Sequence, residues 1–418
     1  MGKKDSTRWS PRLPKVENIK LSGKNKTLRI VLIVILLVVA AVSLSAGLTA
    51  LLNREPGWQE VSVDSGELHC GGDFVLQYDF GGAGMSATAE SKALTAAYSE
   101  AAVKAWQLFS SETPENGNLA WLNAHVNEPV TVDPGLYTAL ELVVRYENRH
   151  VFLGAVYSEY ERMLLCESDG EAERYDPAQN PELLPYIKEA AAFANDPAAV
   201  RLELLGENRV QLSVSEDYLA FADTHEITGF VDFGWMTNAF AADYLADTLS
   251  AAGFTRGYLV SYDGFTRNLD LRGQQYGINV FDRQEDSIYI PAVMHYSSPM
   301  SIVALRDFPL SERDRWHYYS FASLRIATLM IDPADGMDKS AVHDLLCYSE
   351  KTDCGEIVLQ IAPVFIADLL DEDALKALAE QQIYSVWPRG TVLCYNQPGL
   401  ALTMTEDSGI AYTKELIN

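Results

Sequence analysis

The chain has 418 residues, 32 of them basic and 58 acidic, for a formal net charge of −26. That charge is divided unevenly: residues 1–29 hold nine Lys/Arg against Asp5 and Glu17, and the rest holds 23 basic and 56 acidic side chains, net −33. So acidic a body lacks the clustered cations that displace counterions from a phosphate backbone, which excludes nucleic acid as a partner and argues against lying flat on an anionic membrane.

In chain order, the first feature is Ile30 to Leu52, 23 residues without a charge. A helix of that length crosses a hydrocarbon core of ~30 Å, and only a helix pairs all its backbone groups there. The basic residues ahead of it place the N-terminus in the cytoplasm. A cleaved signal peptide is the alternative, but the polar head is long for one and no Cys follows the run to accept a lipid. The expected organisation is a cytoplasmic tail over 1–29, a transmembrane helix over 30–52, a membrane-proximal linker over 53–68 and an α+β domain over 69–418, outside the cytoplasm.

The linker carries a hinge, Asn53-Arg54-Glu55-Pro56-Gly57. Asp73–Phe80 reads as a strand. Glu90–Phe109 has helical spacing through Leu94, Tyr98, Ala102, Ala105 and Phe109. Pro134–Tyr146 is a second helix, with Asp133 as N-cap and Pro134 at its first position. Val200–Leu205 and Val210–Val214 form a hairpin around Gly206-Glu207-Asn208. Thr237–Ala252 is a helix stopped by Gly253, followed by a strand over Tyr258–Ser261. Tyr276–Phe281, Ser287–Pro291 and Arg325–Ile331 read as strands, Gly355–Lys376 as one helix, and Ile383–Trp387 and Val392–Tyr395 as closing strands.

Cys70, Cys166, Cys347, Cys354 and Cys394 show no metal-site spacing. Cys347 and Cys354 either close a disulfide across a turn or remain two free thiols. The seven His are scattered, with no paired zinc pattern, and no nucleophile elbow is present. The aromatic run Trp316–Phe321 could stack a planar ring or form strand core. The most ordered passage runs from Val231 through Asp232 and Gly234 to Gly253, then to Tyr262-Asp263-Gly264. It is a strand end, a turn, a helix and a strand ending in an Asp-Gly turn, a geometry whose free N–H groups suit a phosphate.

This passage resembles the ApbE family, the FAD:protein FMN transferases. Their strand and helix have the form D-L-G-G-I-A-K-G-Y-x-x-D, then L-x-x-x-G, then G-G-D. Asp232, Gly234, Ala241, Asp243, Leu249 and Gly253 fall in register. Leu108–Asn123 resembles the family's early S-E…L-N segment, Gly154-Ala155-Val156-Tyr157 its G-A-F-D, and Met330-Ile331-Asp332-Pro333 its H-I-I-D-P. The resemblance implies an ApbE-like (T-fold-like) α+β fold and a site outside the cytoplasm that binds FAD. It also implies Mg²⁺, used to break the pyrophosphate, and transfer of FMN to Thr or Ser of a partner. On the matching positions the cofactor-binding residues would be Asn123, Asp232, Gly234, Asn238, Asp263, Gly264 and Asp332. The partners would be the bilayer and flavoprotein or redox-complex subunits of the same membrane.

The departures fall on the chemistry. Asn238-Ala239 replaces K-G, Tyr262 replaces a Gly of G-G-D, Tyr157 replaces the Asp of G-A-F-D, and Met330 replaces a His. Met cannot exchange a proton. The metal-binding D-A-x-x-T has its nearest counterpart in Glu356 and Gln360, oxygens four apart on one helix face. Removing one such group costs ~10²–10³ in rate. The reading is therefore a domain whose transferase chemistry has lapsed, kept as a flavin- or nucleotide-binding or protein-interaction unit. The alternative is an active, divergent transferase with a relocated metal site.

Overall fold

In the computed structural model, residues 55–417 are described, apart from 64–71, 83, 298, 312–313 and 406–408. The tail, the span expected over 30–52 and Cys70 lie outside the described residues. Among those described, no helix is long and apolar enough to cross a membrane.

The frame is a nine-stranded sheet whose strands lie side by side in chain order. They are β1 (Gly57–Val61), β2 (Phe74–Phe80), β3 (Gly257–Ser261), β4 (Phe265–Asn268), β5 (Met300–Arg306), β6 (Asp344–Ser349), β7 (Tyr384–Arg389), β8 (Val392–Tyr395) and β9 (Thr413–Leu416). Every neighbouring pair is antiparallel except β8 with β9. The domain therefore begins inside the stretch expected as linker: β1 pairs with β2 from Gly57↔Phe80 to Val61↔Leu76. The alternating apolar residues of β2 carried a strand signal, whereas β1 has only Trp58 and Val61 to offer.

Helices α1 (Ala87–Phe109), α7 (Thr237–Ala251) and α8 (Cys354–Phe365) pack against one another and cover one face of the sheet. The expected stripe of α1 is the buried one: Leu94, Tyr98, Ala102, Ala105 and Phe109. Between α1 and α7 the chain forms α2 (Leu119–Ala124), α3 (Pro134–Arg145), α4 (Gly154–Leu164), α5 (Leu184–Asn195), α6 (Glu216–His225) and a small sheet that includes the expected hairpin, Val200–Gly206 with Arg209–Val214. The opposite face of the main sheet is covered by a second layer, strands Gln275–Gln284, Ser287–Ser297 and Ala401–Met404. Strand β5 lies between the two layers and all seven of its residues are buried. A strand buried on both faces has no alternation to read, which is why β5 and β6 gave no sequence signal.

The single helix expected over Gly355–Lys376 is two. Pro363 sits inside α8 and supplies no N–H, so the Leu359 carbonyl is free to accept from Asn148 Nδ2 at 2.9 Å. The helix stops at Phe365, and Asp371 caps α9 (Glu372–Glu380), accepting from the Ala374 N–H. The Arg325–Ile331 segment holds a three-residue strand, Ile326–Thr328, paired with Tyr318–Ser320 from the aromatic run. Cys347 and Cys354 are both free and buried, each with its sulfur on its own partner: Ser385 Oγ at 3.3 Å and the Thr266 carbonyl at 3.4 Å.

One carboxylate joins three of these elements. Asp243 of α7 accepts from the Cys354 and Gly355 N–H groups at 3.0 and 2.7 Å, capping α8 from outside the helix. It also pairs with Arg267 of β4, whose guanidinium reaches Asp353 at 2.9 Å. The Asp353 side chain makes no cap of its own. Burial pushes Asp243 up to about 6 while the carboxylates around Arg267 hold that guanidinium firmly charged. With two N–H donors and a guanidinium on one carboxylate, the pair is ionised at neutral pH. Asp243→Ala removes the buried partner of Arg267, leaving it the more exposed Asp353, and uncaps α8, and should destabilise the domain by about 2 kcal/mol at pH 7.5 in urea denaturation. Asp243→Asn should cost less; equal stability of wild type and Asp243→Ala would remove this pair from its role.

Candidate functional site

The chain path around Asp232 is set first by Asn123, at the end of α2. Its Oδ1 accepts from the Phe230 and Val231 N–H groups, both at 3.0 Å, and its Nδ2 donates to the Val231 carbonyl at 2.8 Å. Asn123 is buried and both ends of its amide are used by backbone. It therefore positions the turn. Next, the Asp232 N–H donates to the Val151 carbonyl at 2.8 Å. The Asp232 carboxylate then accepts from the Gly234 N–H at 2.8 Å and from Ser111 Oγ at 2.7 Å.

Gly234 has φ +51°, and a Cβ there would lie 2.6 Å from the Tyr157 ring. Tyr157 stands where the resemblance puts an Asp; it is buried, and its hydroxyl donates to the His150 carbonyl at 2.8 Å. The space that family pattern would give to a carboxylate is filled by a ring closed down on the glycine turn. Gly264 is likewise a packing requirement: at φ +109°, a Cβ would meet the Ala304 carbonyl at 2.2 Å. The glycine lets the β3–β4 turn lie against β5.

The start of α7 holds the next group. Asn238 Nδ2 donates to Asp263 Oδ2 at 2.8 Å and lies 3.4 Å from Asp73 Oδ2. Burial pushes the Asp263 carboxyl up and Asp73 adds to this, while His317 and hydrogen bonds from Ser261 and Asn238 pull the other way. Asp232 is also pushed up by burial, opposed by Ser111 and the Gly234 N–H.

Asp73, Asp232, Gly234 and Asn238 border a cavity of about 320 Å³ between α1 and α7, floored by Ala102, Ala105, Phe109, Ala241 and Leu245. It shares Ser111, Glu112, Glu161 and Asp232 with an outer cavity of about 580 Å³. The inner cavity has carboxylates at Asp73, Glu112, Glu161 and Asp232 and no Lys or Arg among the described residues that line it. Arg162 borders the outer one and is 2.9 Å from Glu159. Ser111, Glu112 and Glu161 were missed by sequence reasoning. The available signal was the i, i+4 spacing of Tyr157 and Glu161, which places both on one face of α4.

The remaining expected site residues are elsewhere. Asp332 lies in a turn, accepting from the Ala334 N–H and from Lys339 Nζ, both at 2.8 Å. It borders a separate cavity of about 640 Å³ with His150. Glu356 accepts from the Tyr146 hydroxyl and faces Arg145 at 3.8 Å, and Gln360 Nε2 donates to the Glu356 carbonyl at 3.3 Å. Neither Glu356 nor Gln360, expected as a metal pair, borders the carboxylate-lined cleft. Among the described residues no group of three or more His, Cys, Asp or Glu could hold a metal ion. Met330, in place of the family's His, is buried in the core.

Scanned against protein-family models and against curated protein sequences, the chain matches neither. Its fold is similar to that of the ApbE protein of Thermotoga maritima, with TM-score 0.54 and 13% identity over 84% of this chain and 97% of that one. It is equally similar to the flavin transferase ApbE of Vibrio cholerae, TM-score 0.54 and 13% identity, over 85% and 99% of the two chains. At that identity the likeness establishes the fold: the domain is α+β and ApbE-like.

Glu161 reports the electrostatics of the cleft. Desolvation of its carboxyl in the cleft wall pushes it up to about 7, with Asp232 and then Glu112 adding to the shift, although the residue as a whole is exposed. The folded state thus holds this proton to about pH 7, while the unfolded chain releases it near 4.5. Its contribution to stability is full below 4.5 and is lost as pH rises toward 7. Glu161→Gln should therefore melt higher than wild type at pH 8 and equally at pH 4. Buried Asp344, also pushed up to about 7, affects both proteins alike and cancels in the comparison. A pH-independent difference would show that Glu161 does not titrate in this window.

Proposed function

We propose that this is a membrane-anchored, extracytoplasmic domain of ApbE fold that does not transfer FMN and serves as a binding unit of a membrane complex. The observation that carries the reading is the commitment of Asn238. At the position where the resemblance expects a Lys, the Asn amide holds Asp263 and lies beside Asp73, at a cavity with four carboxylates and no Lys or Arg among the described residues that line it.

A flavin nucleotide brings a diphosphate, and phosphoryl transfer needs positive charge where negative charge develops. The turn ahead of α7 is already faced by one of the chain's own acids, Asp232 on the Gly234 N–H, and the Asn238 side chain in the first turn of α7 is given to Asp263. Tyr157 and Met330 stand in place of the Asp and His of the family pattern, and neither Glu356 nor Gln360 reaches the cleft. The residues present do not fit FAD with Mg²⁺, and no catalytic step is derived through them. The anchor rests on the uncharged run Ile30–Leu52 and the basic residues ahead of it. A partner in the same membrane is then met by position, with the cleft walls selecting against anionic groups.

The full chain in detergent, incubated with FAD and Mg²⁺, should release no AMP above buffer. Nor should it label Thr or Ser of proteins from its own membrane with FMN. Mg²⁺-dependent AMP release would replace this reading with the transferase one.

A further inference from the structure

The two cavities of the cleft, about 320 and 580 Å³, share four lining residues: Ser111, Glu112, Glu161 and Asp232. Those four are the partition between them. Ser111 and Glu112 belong to the short connection from α1 to α2, which is tied down unequally. Its far end is fixed by Asn118, which is buried. There Nδ2 donates to the Gln107 and Thr113 carbonyls at 3.1 and 2.9 Å, and Oδ1 accepts from the Glu115 and Trp121 N–H groups at 3.1 and 2.7 Å. The near end leaves α1 at Ser110 in extended backbone. Between these anchors, Ser111 Oγ donates to Asp232 at 2.7 Å, the one side-chain hydrogen bond from Ser111 or Glu112 to the opposite wall among the described residues. Glu112 is exposed, and its N–H turns back to Ser110 Oγ at 3.2 Å. A short segment between two fixed ends, held across a cleft by one bond, is a two-state element.

Charge is what bears on that bond. Desolvation holds the proton on Glu161 of α4, and Asp232 and then Glu112 oppose its ionisation. Asp73 stands across the inner cavity, and Glu159, Tyr186, His225 and Glu226 border the outer one. Tyr157, one turn back on α4, is buried and keeps its proton. Arg162 is the one Lys or Arg among the described residues lining either cavity, and it is 2.9 Å from Glu159. A proton on Glu161 thus leaves the partition undisturbed, and its loss near pH 7 sets a new negative charge against Glu112 and Asp232 with no free cation to answer it. We propose that Ser111 and Glu112 form a strap between the two cavities, latched by Ser111 on Asp232 and released when a charged Glu161 faces Glu112 and Asp232. Latched, the strap keeps a ligand in the outer cavity from the apolar floor of the inner one; released, it joins them into one cleft. This inference rests on the reading of the cleft as a binding site and adds its regulation.

The test is amide hydrogen exchange of the full chain in detergent, read by mass spectrometry on peptides covering residues 107–118 and corrected for the chemical dependence of exchange on pH. Protection of the strap amides should fall at least about three-fold between pH 6 and pH 8 in wild type, while peptides from the middle of α1 keep theirs. Glu161→Gln should hold the pH 6 protection at both values, and Ser111→Ala should show the low protection at both. Ser111→Thr keeps the hydroxyl and should behave as wild type, which separates loss of the latch from loss of the fold. Wild-type protection that is the same at pH 6 and pH 8 overturns the strap. A Glu161→Gln protein that loses protection as wild type does overturns the trigger, and Ser111→Ala protected like wild type at pH 6 overturns the latch. Mg²⁺-dependent AMP release from FAD would overturn the binding-unit reading instead, and would leave this exchange pattern as it is.

Discussion

The arrangement depends on a carboxylate that is displaced from the helix it caps. A helix beginning with Cys354-Gly355 must find acceptors for its first N–H groups, and here they come from Asp243 on a different helix. Gly355 allows the approach, since a Cβ there would lie 2.7 Å from the Phe240 ring and 3.1 Å from the Asp243 carboxylate. Arg267 answers the charge and brings in β4. The start of α8, the middle of α7 and the strand beneath them are thereby held in one cluster. The N-terminal residues of α7, Thr237 and Asn238, reach the cleft from a helix fixed in this way.

Once α7 is fixed, the character of the cleft follows from a few side chains. Asn123 aims the turn that presents Asp232. Tyr157 closes over Gly234, and Asn238 gathers Asp263 and Asp73. A helix start beside tight turns can bind an anion by its free N–H groups; here the turn ahead of α7 gives its Gly234 N–H to Asp232, and the Asn238 side chain holds Asp263. Burial raises the carboxyl pKa of Asp232, which lines the cleft, and of Asp263, which Asn238 holds beside it.

Much of this was legible in the sequence, and the rest was hidden for physical reasons. The α1 stripe, the Asp133-Pro134 cap, the Gly206-Glu207-Asn208 hairpin and α7 with its Gly253 stop all stand, because local periodicity and turn chemistry decide them. Strands β5 and β6 were invisible because they are apolar on both faces. The break after α8 was hidden because its length and apolar content outweighed the Pro363 signal. In the site, Asp232, Gly234, Asn238 and Asp263 come together as their order implied. Asn123 and Gly264 belong to the same region but serve the backbone, a distinction that residue type alone does not carry. Glu161 and Ser111 come from segments far apart in the chain, and only tertiary packing places them beside Asp232.

The central proposal is that this carboxylate-lined cleft does not take up a flavin nucleotide. Equilibrium dialysis of FAD against the full chain, with and without Mg²⁺, addresses it directly. The account predicts no saturable uptake in either condition and none gained by Asn238→Ala. Saturable, Mg²⁺-dependent binding of one FAD per chain, weakened by Asp232→Asn or Asp263→Asn, would contradict it.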